Sequence, residues 1–431
     1  MLLAVGAVTI LGALILGGGA LLRGDGGVAT PPIRWETVVI ADRLTGGLSL
    51  IDESGAVVSG ATLPSFGGVD LIVSGAGATA ARSGVDLFIN PLSPQPATLR
   101  LPDGAALRVV RAPGVGTALI GGTGDDLIVV SLAPDDRSSA RPLSSITGEP
   151  TPRYPVADVR VDPLGTRLAI PDATNFQTVL LDLAADTLTY FPDLPLALRG
   201  DLVVTAQRVG DRMELGLFTA TGERLRTIPT EVIVGGVIPP SASRFVFVTR
   251  TGDIWSARPA QKEAERIGAI NGGATIVSAR GALDGRRLVI GSEHEINVVD
   301  IDGDSVIRRE SPGIVEEGTS IASQCLTLRL GTTLELVDLN DGRLLASTSE
   351  VDVTARSHDG CLLAVNGPTG TSLLGSGGVS PIAGSVLAVA PDSSAAIVAE
   401  SGALSLVRYD NGIDEVVPLD VRGDLAEFVA S

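Results

Sequence analysis

Aromatic side chains are scarce: they make up 3% of the 431 residues, with 2 Trp, 3 Tyr and 8 Phe. A core built almost without them must come from Val, Leu, Ile and Ala. Histidine and cysteine occur only twice each. His294 and His358 sit in or beside turn sequences, where an imidazole is easily solvated, and neither has a Cys or a second His at ligand spacing, which excludes a zinc cluster. Positive charge is outweighed as well. Lys and Arg total 32 against 50 Asp and Glu, for a formal net charge of −18, and Lys262 is the one lysine. A nucleic-acid binder needs a basic face to neutralise phosphates, so no nucleic-acid partner is expected. Adsorption to an anionic membrane through a basic patch is disfavoured for the same reason. No Gly-x-Ser-x-Gly elbow, phosphate-binding loop or dinucleotide fingerprint in a βαβ setting is found, so neither a cofactor nor an enzyme is expected.

Long apolar runs are absent except at the start. Residues 1–22, MLLAVGAVTILGALILGGGALL, contain no charge and are followed by Arg23. As a helix this run is apolar on every face and long enough to cross about 30 Å of hydrocarbon. A retained transmembrane anchor is the preferred reading. The alternative is a signal peptide, with Gly27 to Ala29 as a small-residue cleavage site, which would release a secreted protein. No cysteine near this segment could carry a lipid. Arg23 and Arg34 follow the run and no basic residue precedes it, so the positive-inside rule does not favour export, although large domains translocate regardless of a few charges. Residues 23–36 read as a juxtamembrane linker stiffened by Pro31 and Pro32. The expected placement is the cell membrane, single-pass, with residues 37–431 on the extracytoplasmic side.

What the sequence has in abundance is glycine (53), proline (26) and β-branched residues. Together they indicate short strands joined by tight turns. From Thr37 onward one unit recurs: four apolar runs of four to seven residues, bounded by Gly, Asp, Asn and Pro. The clearest copies are Val156 to Phe191, Ala274 to Arg309 and Ser385 to Leu419. Weaker ones begin near Val69, Leu107, Asp201, Glu231, Gly318 and Val351. The spacing brackets that of a four-stranded propeller blade. Such a sheet cannot bury both faces alone, but a ring of stacked sheets can.

The ends of the repeat region support closure. The first copy has only three strands, Val38 to Asp42, Leu48 to Asp52 and Ala56 to Leu63. A spare strand, Asp424 to Ala430, follows the last full copy. Pairing the spare strand with the first copy would complete one sheet and remove the open edge. The fold class expected is therefore all-β, a propeller of about ten four-stranded antiparallel blades. A single ring is favoured; two smaller rings, or seven to nine blades, are the alternatives. Segments such as DPLGTRLAI, LDGRRLVIG and HDGCLLAVN resemble the turn-and-strand unit of the WD40/YVTN-like propeller superfamily. The Gly-His and Trp-Asp signatures of WD40 blades are missing, so the resemblance is architectural. It implies a family role in binding and scaffolding.

Several residues are candidates for a site. Cys325 and Cys361 open the second strands of adjacent copies. Strand alignment places Cys361 level with Arg286 and Cys325 one residue earlier, which turns the two thiols to opposite sheet faces. Between adjacent blades opposite faces meet, so a disulfide is expected, as suits an oxidising compartment. Asp300, Asp302 and Asp304 alternate around Gly303 and could supply oxygen ligands to Ca²⁺. The turn recurs at Asp338 to Gly342, so a plain strand-linking role is preferred. Asp158, Arg160, Asp162, Asp352 and Arg356 fall on or beside inner strands. They could grip a polar ligand at the channel mouth, or pair with one another along its wall, which is preferred. The leading function is a membrane-anchored, protein-binding scaffold. The alternatives are a propeller hydrolase or lyase acting at the channel mouth, and a structural spacer in an envelope assembly.

Overall fold

The computed structural model describes residues 34–430, apart from 64–67, 76–77, 102–105, 112–116, 123–126, 132–138, 143–158, 163–166, 173–174, 184, 186, 211, 271–274, 283, 311–319 and 322–323. The apolar segment 1–22 and Asp158 lie outside the described residues. Among the described residues no helix is long and apolar enough to cross a membrane.

Among the described residues, forty strands form ten four-stranded antiparallel sheets. In nine of them the four strands follow one another in sequence; the first sheet instead combines Trp35–Ala41, Gly47–Asp52 and Val57–Thr62 with Leu425–Ala430 as its innermost strand. Each sheet has two ends. At one, the innermost strand turns into the second; this is the hairpin end. At the other, the outermost strand hands over to the innermost strand of the next sheet; this is the crossover end.

The second strands explain the stacking. Phe245–Thr249 is buried at all five positions, and Arg167–Asp172 at five of six. A strand with water on one face would alternate. These do not, because a neighbouring sheet covers each face. The outermost strands lie at the rim and alternate or open to solvent, as Val57–Thr62 does. Mixed aliphatic clusters sit between sheets: Leu202, Leu217, Ile233 and Phe247 join the fifth to the sixth, and Val289, Val298, Leu326 and Leu339 join the seventh to the eighth. The described interfaces run from the fourth sheet through the tenth, and on through the first to the third. This is the β-propeller expected from the repeat, with ten blades.

Closure follows the expected scheme. Leu425–Ala430 pairs antiparallel with Trp35–Ala41, from Ala41↔Leu425 to Trp35↔Ala430. Trp35 and Phe428 pack edge to face, with centroids 4.9 Å apart. The Trp35 indole N–H donates to Ser394 Oγ of the tenth sheet at 2.8 Å. From the second sheet, Ser74 Oγ donates to the Phe428 carbonyl at 2.6 Å. The closing strand is thus held on both flanks.

The disulfide also forms between adjacent sheets. Cys325 opens the second strand of the eighth sheet, and Cys361 precedes the second strand of the ninth, Leu363–Gly367. Their Cα atoms lie 5.1 Å apart. One repeat start differs from expectation. The fifth sheet begins at Leu194–Arg199, ahead of Asp201. That stretch, LPLALR, has no β-branched residue and carries a proline, so its strand character comes from pairing with Leu202–Val209 rather than from propensity.

Phe428 is 4% exposed and fills the seam between the first and tenth sheets. Phe428→Ala is expected to lower unfolding free energy by about 3–5 kcal/mol. Denaturant unfolding of the two proteins measures this directly.

Candidate functional site

The hairpin turns between innermost and second strands interlock from sheet to sheet. On the ninth sheet Asp359 Oδ1 accepts from Ser357 Oγ at 2.6 Å, from the Cys361 N–H at 2.9 Å and from Ser393 Oγ of the tenth sheet at 2.5 Å. The Gln324 and Cys325 N–H groups of the eighth sheet donate to the Asp359 carbonyl, and the His358 and Asp359 N–H groups donate to the Pro391 carbonyl of the tenth. Asp392 Oδ1 accepts from Ser394, which in turn holds Trp35. A short carboxylate at such a turn satisfies backbone donors that no strand partner reaches. The Ser357-His358-Asp359 run is therefore used as a turn. His358 is half-buried there rather than freely solvated, while His294 is exposed on the seventh sheet.

A second linkage joins the fourth, fifth and seventh sheets. Asp162 is fully buried, and its Oδ1 accepts the Gly200 N–H at 3.2 Å. Arg199, 6% exposed, reaches past the sixth sheet and donates from Nη2 to the Asp284 carbonyl at 3.2 Å. Gly285 makes this approach feasible: with φ +75°, a Cβ there would lie 2.3 Å from Arg199 Nη1. Burial pulls the Arg199 guanidinium down from its ordinary pKa, while Asp162 and Asp284 oppose that shift. Burial likewise pushes the Asp284 carboxyl up, against the Arg286 N–H that it accepts and the charges of Arg287, Arg286 and Arg199.

Among the described candidates on the channel wall, Arg160, Asp352 and Arg356 form no ion pair with one another, and Asp158, beside Arg160 in sequence, lies outside the described residues. Arg160 lies on the innermost strand of the fourth sheet and is exposed. Asp352 and Arg356 lie at opposite ends of one innermost strand on the ninth sheet. The Asp352 side chain is 94% exposed and comes only to 3.9 Å of Arg329, while Arg356 is also exposed. The structure brings Asp162 together with Arg199, a residue that sequence reasoning missed because its whole strand was missed. At the other candidate, Asp300 Oδ1 accepts the N–H groups of Asp302 and Asp304, closing a turn. Asp302 reaches instead to the buried Arg244 of the sixth sheet at 2.8 Å. Among the described residues no three His, Cys, Asp or Glu side chains converge on one point.

The crossover end differs in character. Phe176 is 73% exposed in the turn between the second and third strands of the fourth sheet, with φ +50°. That turn is tied down by buried Asp172, which accepts from the Asn175 N–H, Asn175 Nδ2 and Gln177 Nε2. The Phe176 carbonyl accepts the Asp193 N–H, and Leu194 follows, partly exposed at the channel rim. Val209, Val232 and Val277 continue the exposed apolar set across the fifth, sixth and seventh sheets. Their turns touch: the Ile233 N–H meets Met213 Sδ, the Arg250 N–H donates to the Val232 carbonyl, and the Ile276 N–H donates to the Arg250 carbonyl.

No family model matches the chain, and no curated protein matches it in sequence. Several solved structures are similar to it at low identity, among them a β-propeller domain. A eukaryotic initiation factor is 8% identical, with 92% of this chain and 98% of that one covered and a TM-score of 0.48. Kluyveromyces lactis Hsv2 is 13% identical, over 59% of this chain and 89% of that one, with a TM-score of 0.38. The propeller domain of Myceliophteria thermophila Cps50 (Swd1) is 13% identical, over 58% and 96%, with a TM-score of 0.36.

Two outcomes are expected. Arg199→Met removes the cation beside buried Asp162 and the donor to the Asp284 carbonyl, and should cost about 3 kcal/mol of stability in denaturant unfolding. The second concerns Asp193, held at φ +71° with its carboxyl pKa raised by burial. Below the unfolded-state pKa of about 3.9 the carboxyl is neutral in both states, so Asp193→Asn should be nearly silent. As pH rises through the elevated folded-state value, the parent loses stability that the variant keeps. Asparagine also tolerates the left-handed backbone. Thermal melts across this pH range should therefore diverge in favour of the variant.

Proposed function

We propose that the chain is a binding scaffold: a rigid ring, carried outside the cytoplasmic membrane by residues 1–22, that docks a protein partner on its crossover end. The observation that carries this reading is Phe176. A bulky residue in the left-handed backbone region is costly. Here the conformation is fixed by Asp172 and directs an aromatic ring into water, in a chain that has only 8 phenylalanines. The same turn in other sheets uses glycine for this conformation, at Gly84, Gly210 and Gly331. A fixed aromatic side chain amid exposed aliphatic neighbours is what a partner's pocket binds.

The path of the chain agrees with the anchored arrangement. Trp35 starts its strand at the hairpin end, so a linker from the membrane arrives at that end. An anchor joined there would leave the crossover end, with Phe176, Leu194 and Val232, accessible to soluble or envelope partners. The Cys325–Cys361 disulfide suits an extracytoplasmic setting.

The test is cross-linking and co-purification of the full-length chain from native membranes, with Phe176→Ser alongside. The chain should sediment with membranes. A specific partner should be recovered, and its affinity should fall about 30-fold in the variant, the ~2 kcal/mol of an anchor residue, with the circular dichroism spectrum unchanged. Equal recovery with Phe176→Ser would remove the docking surface. A chain free of membranes would remove the anchor.

A further inference from the structure

The outermost strand of each of the ten sheets is an edge. Its outer N–H and C=O groups are a template on which another strand can pair, and charged side chains or proline prevent this. Eight of the ten carry such a residue in sequence. The exceptions are Val57–Thr62 of the first sheet and Leu344–Ser349 of the eighth. In the first sheet Ser59 to Thr62 pair regularly with Leu50 to Gly47, beyond a bulge at Val58. Gly60 lies within this run, and a glycine inside a strand weakens it but allows another backbone to approach closely.

A cavity singles out the first of these two edges. It has a volume of about 600 Å³ and opens to solvent at the crossover end. Gly60 and Thr62 of the edge strand line it, with Ser49 of the neighbouring strand, Asp42 and Thr45 of the preceding turn, and Arg422 of the segment leading to the closing strand. The turn is firmly held. Asp42 Oδ1 accepts the Leu44 N–H at 2.9 Å and the Thr45 N–H at 3.1 Å, and the Arg43 N–H donates to Asp424 Oδ1 at 2.9 Å. The Leu63 N–H, just past the edge strand, donates to the Gly46 carbonyl at 3.0 Å. Leu44 stands in this turn 93% exposed, more than any other large apolar side chain described.

The lining decides what fits. The Thr45 N–H and hydroxyl hold the Asp42 carboxyl below its usual range, so it keeps its negative charge, and Arg422 supplies the opposite one. Three hydroxyls, of Thr45, Ser49 and Thr62, complete the polar lining. With the charges balanced and donors beside acceptors, the cavity suits an amide side chain, which is both. A second copy of the same edge is a poor occupant. Its strand, VVSGAT, has no side chain longer than valine to fill the space, and two chains of net charge −18 repel each other. A segment added to a sheet edge gains backbone hydrogen bonds along the strand, while its alternate side chains enter flanking pockets.

We infer that the outer edge of the first sheet, at Ser59 to Thr62, docks an extended, uncharged segment of a partner protein by strand addition, with an Asn or Gln side chain of that segment entering the cavity. Leu44 offers an apolar contact beside it. The site lies on a different sheet from Phe176 and does not rest on that surface or on the membrane anchor.

The test selects a displayed library of random heptapeptides on the full-length chain in detergent, then measures the enriched peptides by fluorescence anisotropy. Enriched sequences should alternate β-branched residues with Asn or Gln. Gly60→Val fills the cavity; a Cβ there meets nothing closer than the Leu48 carbonyl at 3.4 Å, so the fold should be kept. This variant should bind about tenfold more weakly. Ser347→Val, on the uncharged edge of the eighth sheet, should bind as the parent does. Backbone N-methylation of the peptide gives a readout that does not depend on any variant folding. Methylating one alternate set of amides should abolish binding, and methylating the other set should not. No enrichment, equal effects of the two methylation patterns, or unchanged affinity in folded Gly60→Val overturns the inference. So does a dimer of the chain in sedimentation that Gly60→Val disrupts, which would make a second copy the occupant.

Discussion

The structure depends on one constraint: a four-stranded sheet whose middle strands are apolar on both faces is stable only between two others. Phe245–Thr249 and Arg167–Asp172 show this directly, since neither leaves a face to solvent. The hydrophobic effect therefore acts between sheets more than within them. It also forbids a free end to the stack, where a whole apolar face would meet water. Pairing Leu425–Ala430 with Trp35–Ala41 completes the first sheet, which then packs between the tenth and the second. The hairpin collar from Gln324 through Asp359, Pro391 and Ser394 to Trp35 adds directional bonds to a packing that is otherwise non-directional.

Much of this was legible in the amino-acid order because it repeats. The three-strand first copy and the spare strand after Asp420 disclosed the closure scheme. The one-residue offset of Cys325 from Cys361 disclosed which faces the thiols would occupy. Other features were hidden for physical reasons. Leu194–Arg199 has weak β propensity and becomes a strand only through its partner, so its Arg199 could not be placed. The linkage of Arg199 to Asp162 and Asp284 spans three sheets, and no local spacing encodes it. Phe176 lies in a short turn where an aromatic residue looks like one more apolar letter. Only its φ of +50° and its exposure set it apart. Asp302 looked like one arm of a cation loop, yet it reaches sideways to a buried arginine of the neighbouring sheet.

The two ends of the ring divide the surface chemistry. At the hairpin end, the carboxylates of Asp162, Asp284 and Asp359 accept backbone N–H groups of the turns. At the crossover end Phe176, Leu194, Val209, Val232 and Val277 stand exposed among charged residues such as Glu231 and Asp352. One repeating scaffold thus presents different side chains at its two ends, because its turns vary while its strands are held by the packing requirement.

The seam has a consequence for the order of assembly. The strand that completes the first sheet is synthesised after every other strand described, so a growing chain passes through an open arc whose terminal sheet lacks its inner edge. Until Phe428 reaches Trp35, that edge is an unpaired row of amides able to recruit a strand from a second molecule. Swapping of the last strand between two chains would satisfy the same register, and high local concentration during synthesis is the condition that would promote it.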